Sequence, residues 1–168
     1  MKGELKVSSQ LHQGSEFYFT VNLAAVDDKI PEKLQLIPYT DLSPFTGIKI
    51  LVAEDNRINS LLIRKYLITW QIEVKIVENG KEAIEALQHE NFDLIIMDTR
   101  MPVMNGFESA RHIRKTLKID TPILSLSATV LAEEVAEAYE SGMNDTLSKP
   151  FQPARLHEKI EYMLNFLN

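Results

Sequence analysis

The amino-acid sequence predicts an α/β protein built on a five-stranded parallel sheet with helices on both faces. From Gly47 onward, five apolar runs of strand length alternate with five amphipathic segments of helical spacing. Alternation of this kind implies a doubly wound sheet joined by right-handed crossovers. The chain has 168 residues, of which 45% are hydrophobic and 25% charged, so it can bury the core of one ordinary domain and carry an attachment.

Each predicted strand is followed by a predicted helix. The strand-length runs cover residues 48–53, 72–77, 94–97, 123–126 and 145–148, the last of them only weakly apolar. The helices are marked in turn by Ile58, Leu61 and Leu62; by Ala83, Ile84 and Leu87; by Ala110, Ile113 and Leu117; by Leu131, Val135 and Ala138; and by Leu156, Ile160, Met163, Leu164 and Leu167. Pro153 stands near the start of the fifth helix, where its missing N–H would be unpaired in any case.

The N-terminal residues have a different pattern. Apolar and polar side chains alternate at residues 5–8 and again at 16–23, with a glycine between them, so residues 1–24 are expected to form a β-hairpin. Residues 25–46 lack periodicity and contain three prolines, which predicts an extended linker.

The composition argues against nucleic-acid binding and against a membrane-spanning fragment. Acidic residues outnumber Lys and Arg by 24 to 18, and no run of basic residues offers a face to nucleic acid. The chain has no cysteine, so neither disulfides nor thiolate metal sites can hold the fold. No apolar stretch approaches the roughly 20 residues that span a bilayer, so we expect a cytoplasmic fragment whose parent could be anchored in a membrane.

Five polar side chains fall at the ends of predicted strands. Glu54 and Asp55 follow the first run, Asp98 the third, Ser127 the fourth and Lys149 the fifth. Sheets of this type place ligands at the carboxyl ends of their strands, so these side chains are expected to meet at one edge. Two like charges about 4 Å apart repel by roughly 4 kcal/mol at an effective dielectric near 20, so clustered carboxylates need a cation. Lys149 offsets part of the repulsion, and oxygen ligands favour Mg²⁺ for the rest.

This arrangement predicts a carboxylate that accepts a phosphoryl group. Phosphoryl transfer passes through a loose, in-line transition state, so catalysis is mainly positioning and electrostatics. Asp98 would attack phosphorus, while a metal held through Asp55 and Glu54 would neutralise one phosphoryl oxygen. Lys149 would neutralise a second oxygen, and the Ser127 hydroxyl would hydrogen-bond a third. The product is an acyl phosphate, whose lability suits a reversible signal.

Four blocks of sequence surround these residues. They read Val-Ala-Glu-Asp-Asn at 52–56, Met-Asp-Thr-Arg-Met-Pro-Val-Met-Asn-Gly at 97–106, Ser-Ala at 127–128 and Lys-Pro at 149–150. In this order, across residues 47–168, they resemble the response-regulator receiver domain of two-component signalling systems.

The resemblance implies a flavodoxin-like sheet of order 2-1-3-4-5 and phosphorylation on Asp98. It further implies Mg²⁺ bound by Asp55, Asp98 and the backbone carbonyl of Arg100, with Glu54 acting through water. The Lys149–Pro150 peptide is typically cis in the family. The implied partners are a phosphohistidine-bearing kinase or a phosphotransfer domain.

The N-terminal piece carries a second resemblance. Residues 1–9 and 14–19 look like the last strands of a histidine-kinase ATP-binding domain, but the sequence has none of that domain's nucleotide-binding motifs. Kinase tail, linker and receiver in this order imply the C-terminal part of a hybrid sensor histidine kinase. The parent would be an enzyme, although this piece is not a kinase by itself. A hairpin without its parent domain has an uncovered apolar face, so we expect it to pack on the receiver, to pair with another copy or to be partly disordered.

Three positions depart from the family pattern. Ser127 stands where Thr is commoner, and it keeps the hydroxyl. Thr146 replaces the Tyr or Phe that often rotates inward on activation, which puts the usual switch in doubt. The Arg100 side chain could overhang the site and alter access.

Three other functions are weighed against phosphoryl acceptance. A non-phosphorylated module that docks on its kinase would have no need of the complete set of site residues. A phosphatase of the haloacid-dehalogenase type needs an acid two residues after its nucleophile, where Arg100 stands. A flavodoxin needs a Ser/Thr/Gly-rich phosphate loop after the first strand, and the sequence has none.

Overall fold

A computed structural model describes residues 3–10, 14–21, 42–128 and 131–166. The chain divides into two compact units, Met1–Leu36 and Ile37–Asn168, and each is described by itself. In the first unit, β1 (Gly3–Gln10) pairs antiparallel with β2 (Gly14–Val21), so two strands form where the alternation predicts them.

One face of this hairpin exposes large apolar side chains. Val7 lies opposite Phe17 in the pairing register, and Phe19 is two residues further along β2. Val7, Phe17 and Phe19 are 59%, 71% and 72% exposed. The origin of the hairpin as the tail of a kinase domain stays a prediction.

The second unit alternates strands and helices. Its strands are β3 (Lys49–Ala53), β4 (Glu73–Val77), β5 (Leu94–Asp98), β6 (Ile123–Ser127) and β7 (Asp145–Ser148). Its helices are α1 (Arg57–Thr69), α2 (Gly80–His89), α3 (Gly106–His112), α4 (Ala132–Glu140) and α5 (Pro153–Phe166). Every predicted strand is present, and its bounds lie within one residue of the predicted run.

The five strands form one parallel sheet in the order β4-β3-β5-β6-β7. Numbered among themselves, they follow the order 2-1-3-4-5 that the resemblance implied. Both faces of the sheet are covered. Leu51, Ile95 and Met97 belong to one buried cluster, while Ile50, Val52 and their neighbours belong to the other. Because side chains alternate between the faces of a strand, these apolar runs bury both faces.

The edge strand β4 carries charged side chains that pair with neighbours. Lys49 Nζ lies 2.9 Å from carboxylate oxygens of both Glu73 and Glu90, and Lys75 also bonds to Glu90. Hydrogen bonds from Lys75 and then Lys49 lower the pKa of Glu90 to about 2. Hydrogen bonds to Glu73 and then Glu90 raise the pKa of Lys49 to about 12. Charges on an exposed edge hinder pairing with another sheet.

The structure differs from the predicted helices in two places. The third helix is interrupted, because α3 ends at His112 and a π-helical turn, Ile113–Leu117, completes it before Lys118 adopts a left-handed φ of 54°. Leu131, predicted as part of the fourth helix, is the residue before α4 and is 62% exposed.

Residues just before β3 pack on other parts of the second unit. Phe45 N donates to Trp70 O at 2.7 Å, and the Phe45 ring lies 4.6 Å from the His157 ring. His157 Nε2 lies 2.8 Å from Ser43 O. Leu42 also packs on the cluster that contains Trp70. The residues that make these contacts precede Gly47, where the sequence predicts that the receiver begins. The boundaries of the domains stay a prediction. Among the described residues, no helix has both the length and the apolar character needed to cross a membrane.

Candidate phosphoryl-acceptor site

Strand ends bring the predicted site residues to one edge of the sheet. Glu54 directly follows β3, and its N–H donates to Val77 O at 3.0 Å, so the chain is still held to the sheet at that point. Asp98 and Ser127 are the last residues of β5 and β6, and Lys149 directly follows β7. All are therefore at the carboxyl edge, where parallel sheets bind ligands.

The acidic side chains lie together. Glu54, Asp55 and Asp98 can each offer a carboxylate oxygen such that the three oxygens lie within 4.8 Å of one another. Glu54 and Asp98 are buried, with 1% and 6% of their surface exposed, whereas Asp55 is exposed. The cluster thus has two buried carboxylates and one that faces water.

Lys149 bridges the two buried carboxylates. Its Nζ lies 2.6 Å from Glu54 Oε2 and 2.5 Å from Asp98 Oδ2. Burial lowers the pKa of Lys149, but hydrogen bonds to Asp98 and Glu54 outweigh that effect, and the pKa is raised overall. The ammonium group therefore stays charged at neutral pH and offsets part of the repulsion between the carboxylates.

Hydrogen bonds and a close approach at a glycine fix the backbone around Asp98. Arg100 N donates to Asp98 Oδ1 at 3.1 Å, and Gly106 N donates to Thr99 O at 3.1 Å. A Cβ on Gly106 would lie 2.2 Å from Asp98 O, so only glycine fits where α3 begins. The Lys149–Pro150 peptide is cis, as the resemblance implied.

Ser127 lies on the neighbouring strand, beside the acceptor. Asp98 pairs with Leu126, so Ser127 is one residue further along β6, and 4% of its surface is exposed. Ser127 O accepts a hydrogen bond from Lys149 N at 2.7 Å. A cavity of about 380 Å³ is lined by Ser127, Thr146, Phe151 and residues of α5. Thr146 is half-buried there, in the place where the family often has an aromatic residue.

The Arg100 side chain is 70% exposed and is directed to α4. Its Nε lies 3.6 Å from Glu134 Oε1, and the same oxygen lies 3.3 Å from Thr99 Oγ1. Whether this side chain alters access to Asp98 stays a prediction.

Sequence reasoning missed a polar residue of α1 that contacts the site. Asn59 Nδ2 donates to Glu54 Oε1 at 2.9 Å. Its position four residues after Asp55, on the first turn of a predicted helix, was the available signal.

The three residues that marked α1 in the sequence lie on its exposed surface. Ile58, Leu61 and Leu62 are 77%, 55% and 44% exposed. The buried residues of α1 are Ser60, Ile63 and Leu67. The helix therefore has a second, exposed apolar surface close to the acidic cluster.

Comparison with known proteins decides the family. The family model described as "Response regulator receiver domain" matches residues 50–161, two thirds of the chain. The chain belongs to the response regulator receiver domain family. It is a receiver domain of the kind that hybrid histidine kinases carry in phosphorelay signalling.

Among its relatives is the autoinducer 2 sensor kinase/phosphatase LuxQ of Vibrio vulnificus. The two are 32% identical over 160 residues, which are 95% of this chain and 19% of LuxQ. The receiver chain thus spans about a fifth of the length of that relative.

Two solved structures are similar over the receiver unit. One is the receiver domain of sensor histidine kinase PA1611 from Pseudomonas aeruginosa, with a magnesium ion in its active-site cleft. It is 32% identical, with a TM-score of 0.65 over 71% of this chain and 98% of that one. The other is a complex of the histidine phosphotransfer protein Ypd1 with the receiver domain of Ssk1 from Saccharomyces cerevisiae. It is 32% identical, with a TM-score of 0.63 over 69% of this chain and 88% of that one.

The acidic cluster of this receiver fits a magnesium ion. Its donors are all carboxylate oxygens, which Mg²⁺ prefers, and the exposure of Asp55 leaves room for the several waters that Mg²⁺ keeps. Lys149 compensates only part of the charge of three clustered carboxylates, so a divalent cation has an electrostatic reason to bind.

Proposed function

We propose that Asp98 accepts a phosphoryl group from a phosphohistidine and passes it on to another histidine or to water. The observation that carries the proposal is the bridge from Lys149 to Asp98 Oδ2 within a cluster of three carboxylates. A buried carboxylate paired with an ammonium group and flanked by two further acids has no evident structural purpose. Such an arrangement suits a site that stabilises the negative charge of a transition state.

The reaction balances with the residues at hand. A carboxylate oxygen of Asp98 attacks the phosphorus of the phosphohistidine, the new O–P bond forms and the N–P bond breaks. The electron pair of that bond returns to the histidine nitrogen. Lys149 already contacts Asp98 Oδ2, so its ammonium group is close enough to form an ion pair with a phosphoryl oxygen as the group is transferred. The Ser127 hydroxyl, one strand away, is proposed to donate to another phosphoryl oxygen.

We propose that Asp55, Asp98 and the backbone carbonyl of Arg100 would hold Mg²⁺, with Glu54 acting through water. When bound, the ion would neutralise charge on the phosphoryl oxygens. Asp55 supports this assignment because it is exposed next to two buried acids. The magnesium found in the PA1611 receiver supports the choice of ion.

The partner is proposed to dock on the exposed apolar surface of α1, formed by Ile58, Leu61 and Leu62. A partner histidine must come within bonding distance of Asp98, so the partner must cover the rim of the site. Leu62 lines a cavity of about 280 Å³ that is also lined by Glu54 and Lys149. Apolar side chains exposed beside a polar site are typical of a protein interface. A kinase domain or phosphotransfer domain that carries phosphohistidine is the expected occupant.

Labelling from a protein donor tests the acceptor. A histidine-phosphorylated donor with radioactive phosphate and Mg²⁺ is expected to label the wild-type chain but not Asp98→Asn. Equal labelling of the two chains would reject Asp98 as the acceptor. No labelling of either chain, with partner binding intact, would favour the non-phosphorylated docking module instead.

Comparison of two donors tests the docking surface. The double variant Ile58→Ala and Leu61→Ala is expected to slow transfer from the protein donor at least tenfold, because hot-spot residues of an interface each contribute more than about 1 kcal/mol and about 1.4 kcal/mol is a factor of ten. Labelling by the small donor acetyl phosphate is expected to be unchanged. Tyr139→Ala, which removes an exposed aromatic side chain from α4, is the control. Equal slowing with both donors would place the defect in the site rather than in docking.

The parent protein is proposed to be a hybrid sensor histidine kinase. Residues on both sides of the linker align with LuxQ, since the match covers 95% of this chain. The hairpin of β1 and β2 would then be the last part of the kinase's ATP-binding domain. We propose that transfer takes place in the cytoplasm, where such kinases use ATP to make phosphohistidine.

A further inference from the structure

Glu54 is the most deeply buried acid of the site. Its side chain is 0% exposed. A buried carboxylate is costly unless each oxygen has a hydrogen-bond partner or a cation. Lys149 supplies one partner, at Oε2. The other oxygen, Oε1, accepts from the Asn59 side chain at 2.9 Å.

Asn59 is itself fixed by the start of α1. Asn56 caps this helix, and its Oδ1 accepts from Ile58 N at 2.9 Å and from Asn59 N at 3.2 Å. The cap sets where the first turn begins, and Asn59 then points to the acidic cluster. The same turn carries Ile58, whose side chain is exposed for contact with a partner.

The two hydrogen-bond donors to Glu54 differ in charge, and this difference affects how strongly the site binds a cation. Lys149 repels a divalent cation, whereas Asn59 donates a hydrogen bond without adding charge. Asn59 therefore holds the carboxylate in one orientation while leaving its negative charge available to the site. Without this donor, Oε1 would lose the hydrogen bond that orients it, in a carboxylate that clusters with those of Asp55 and Asp98.

We propose that Asn59 is a positioning residue that orients Glu54 and so sets the affinity of the site for a divalent cation. The proposal rests on the proposed function, because it concerns the same acidic cluster. Asn59 would act through Glu54 and would touch neither the phosphoryl group nor the ion. Groups that orient the ligands of a metal typically change metal affinity by 10–100-fold when they are replaced, and the lower end of this range is expected here because Glu54 itself acts through water.

Calorimetric titration of the full chain with MgCl₂ tests this proposal. Asn59→Leu has the same number and branching of side-chain heavy atoms and is a better helix former, but it removes the donor. It is expected to raise the dissociation constant for Mg²⁺ roughly tenfold. Asn59→Gln keeps a donor amide and is expected to restore most of the affinity. Ile68→Ala, which removes another exposed apolar side chain from α1, is the matched control and is expected to bind Mg²⁺ as the wild type does. Thermal unfolding without Mg²⁺ checks that each variant is folded.

Each outcome of the titration is informative. Wild-type affinity in Asn59→Leu would overturn the proposal and leave the proposed function intact. Equal losses in Asn59→Leu and Asn59→Gln would also overturn it, because the donor would then not be the cause. If Asn59→Leu does not fold, the Gln variant decides, since loss of affinity in that folded variant would contradict the donor role. A wild-type chain that binds no Mg²⁺ and accepts no label would reject the proposed function itself.

Discussion

Lys149 Nζ lies 2.5 Å from Asp98 Oδ2, although 51 residues separate them in the sequence. The ammonium group also contacts Glu54, so one cation serves two buried carboxylates. The side-chain exposures are 19% for Lys149, 0% for Glu54 and 9% for Asp98. Removing the cation would leave two buried negative charges side by side.

Replacement of Lys149 is expected to reduce both stability and phosphoryl acceptance. Lys149→Met should lower the free energy of unfolding in the absence of Mg²⁺ by on the order of 3 kcal/mol, because breaking a buried ion pair strands its partners. Lys149→Arg is the control, since it keeps the charge but changes the geometry. We expect Arg to recover stability but not the rate of labelling. Urea unfolding and labelling kinetics measure the two effects, and an unchanged stability in the Met variant would contradict the charge balance described.

The contribution of Lys149 to stability has a predictable pH dependence. The pKa of Lys149 is raised in the folded chain, so the contribution is fully present below the unfolded pKa and is lost as the pH rises through the higher folded pKa. The difference between wild type and Lys149→Met should therefore be constant from neutral pH up to about pH 10.4, the ordinary lysine value, and shrink only above it.

Mg²⁺ is expected to stabilise the wild-type chain but not Asp55→Asn. A ligand that binds only the folded state stabilises it by about 2.7 kcal/mol at a concentration 100 times its dissociation constant. Asp55 is exposed, so Asp55→Asn should change the stability of the metal-free chain little. Thermal unfolding with increasing MgCl₂ measures the effect. An equal Mg²⁺-dependent rise in Tm for both chains would remove Asp55 from the ion site.

Much of the fold follows from the sequence because the central strands β3, β5 and β6 are continuous apolar runs with a polar site residue at the end of each. The same runs predicted where Asp98 and Lys149 would meet. The exposed surface of α1 could not be predicted in this way. Apolar periodicity identified a helix, but Ile58 and Leu61 satisfy it as well as the buried Ile63 does.

The remaining differences depend on tertiary contacts. Asn59 looks like any polar residue on a first helical turn until the fold brings it to Glu54. The π-helical turn after α3 and the left-handed conformation of Lys118 leave no periodic signal in the sequence.

Gly106→Ala is expected to disrupt the acceptor strand. The new Cβ would lie 2.2 Å from Asp98 O, a backbone atom that cannot move without shifting β5. We expect a loss of more than about 3 kcal/mol, in the range of severe core substitutions. Gly47→Ala is the comparison, because its Cβ would meet nothing within 4 Å and only its positive φ of 80° would be strained. Urea unfolding should rank the two variants in this order, and equal losses would mean that the close approach at Gly106 does not matter.

Truncation tests where the receiver begins. A chain that starts at Leu42 keeps the contacts of Ser43 and Phe45 with His157 and Trp70, whereas one that starts at Ile48 loses them. The longer chain should be more stable by about 2 kcal/mol, from two hydrogen bonds and an aromatic contact. Equal stabilities of the two truncated chains in urea would place residues 42–47 in the linker.

The most direct measurement of the central claim is chemical trapping of the phosphorylated residue. After incubation with a phosphohistidine donor and Mg²⁺, borohydride reduction converts an aspartyl phosphate to homoserine, and mass spectrometry of the peptides locates the change. The account predicts homoserine at position 98 and at no other position. Homoserine at position 55, or an unmodified residue 98 in a chain that carries the label, would contradict it.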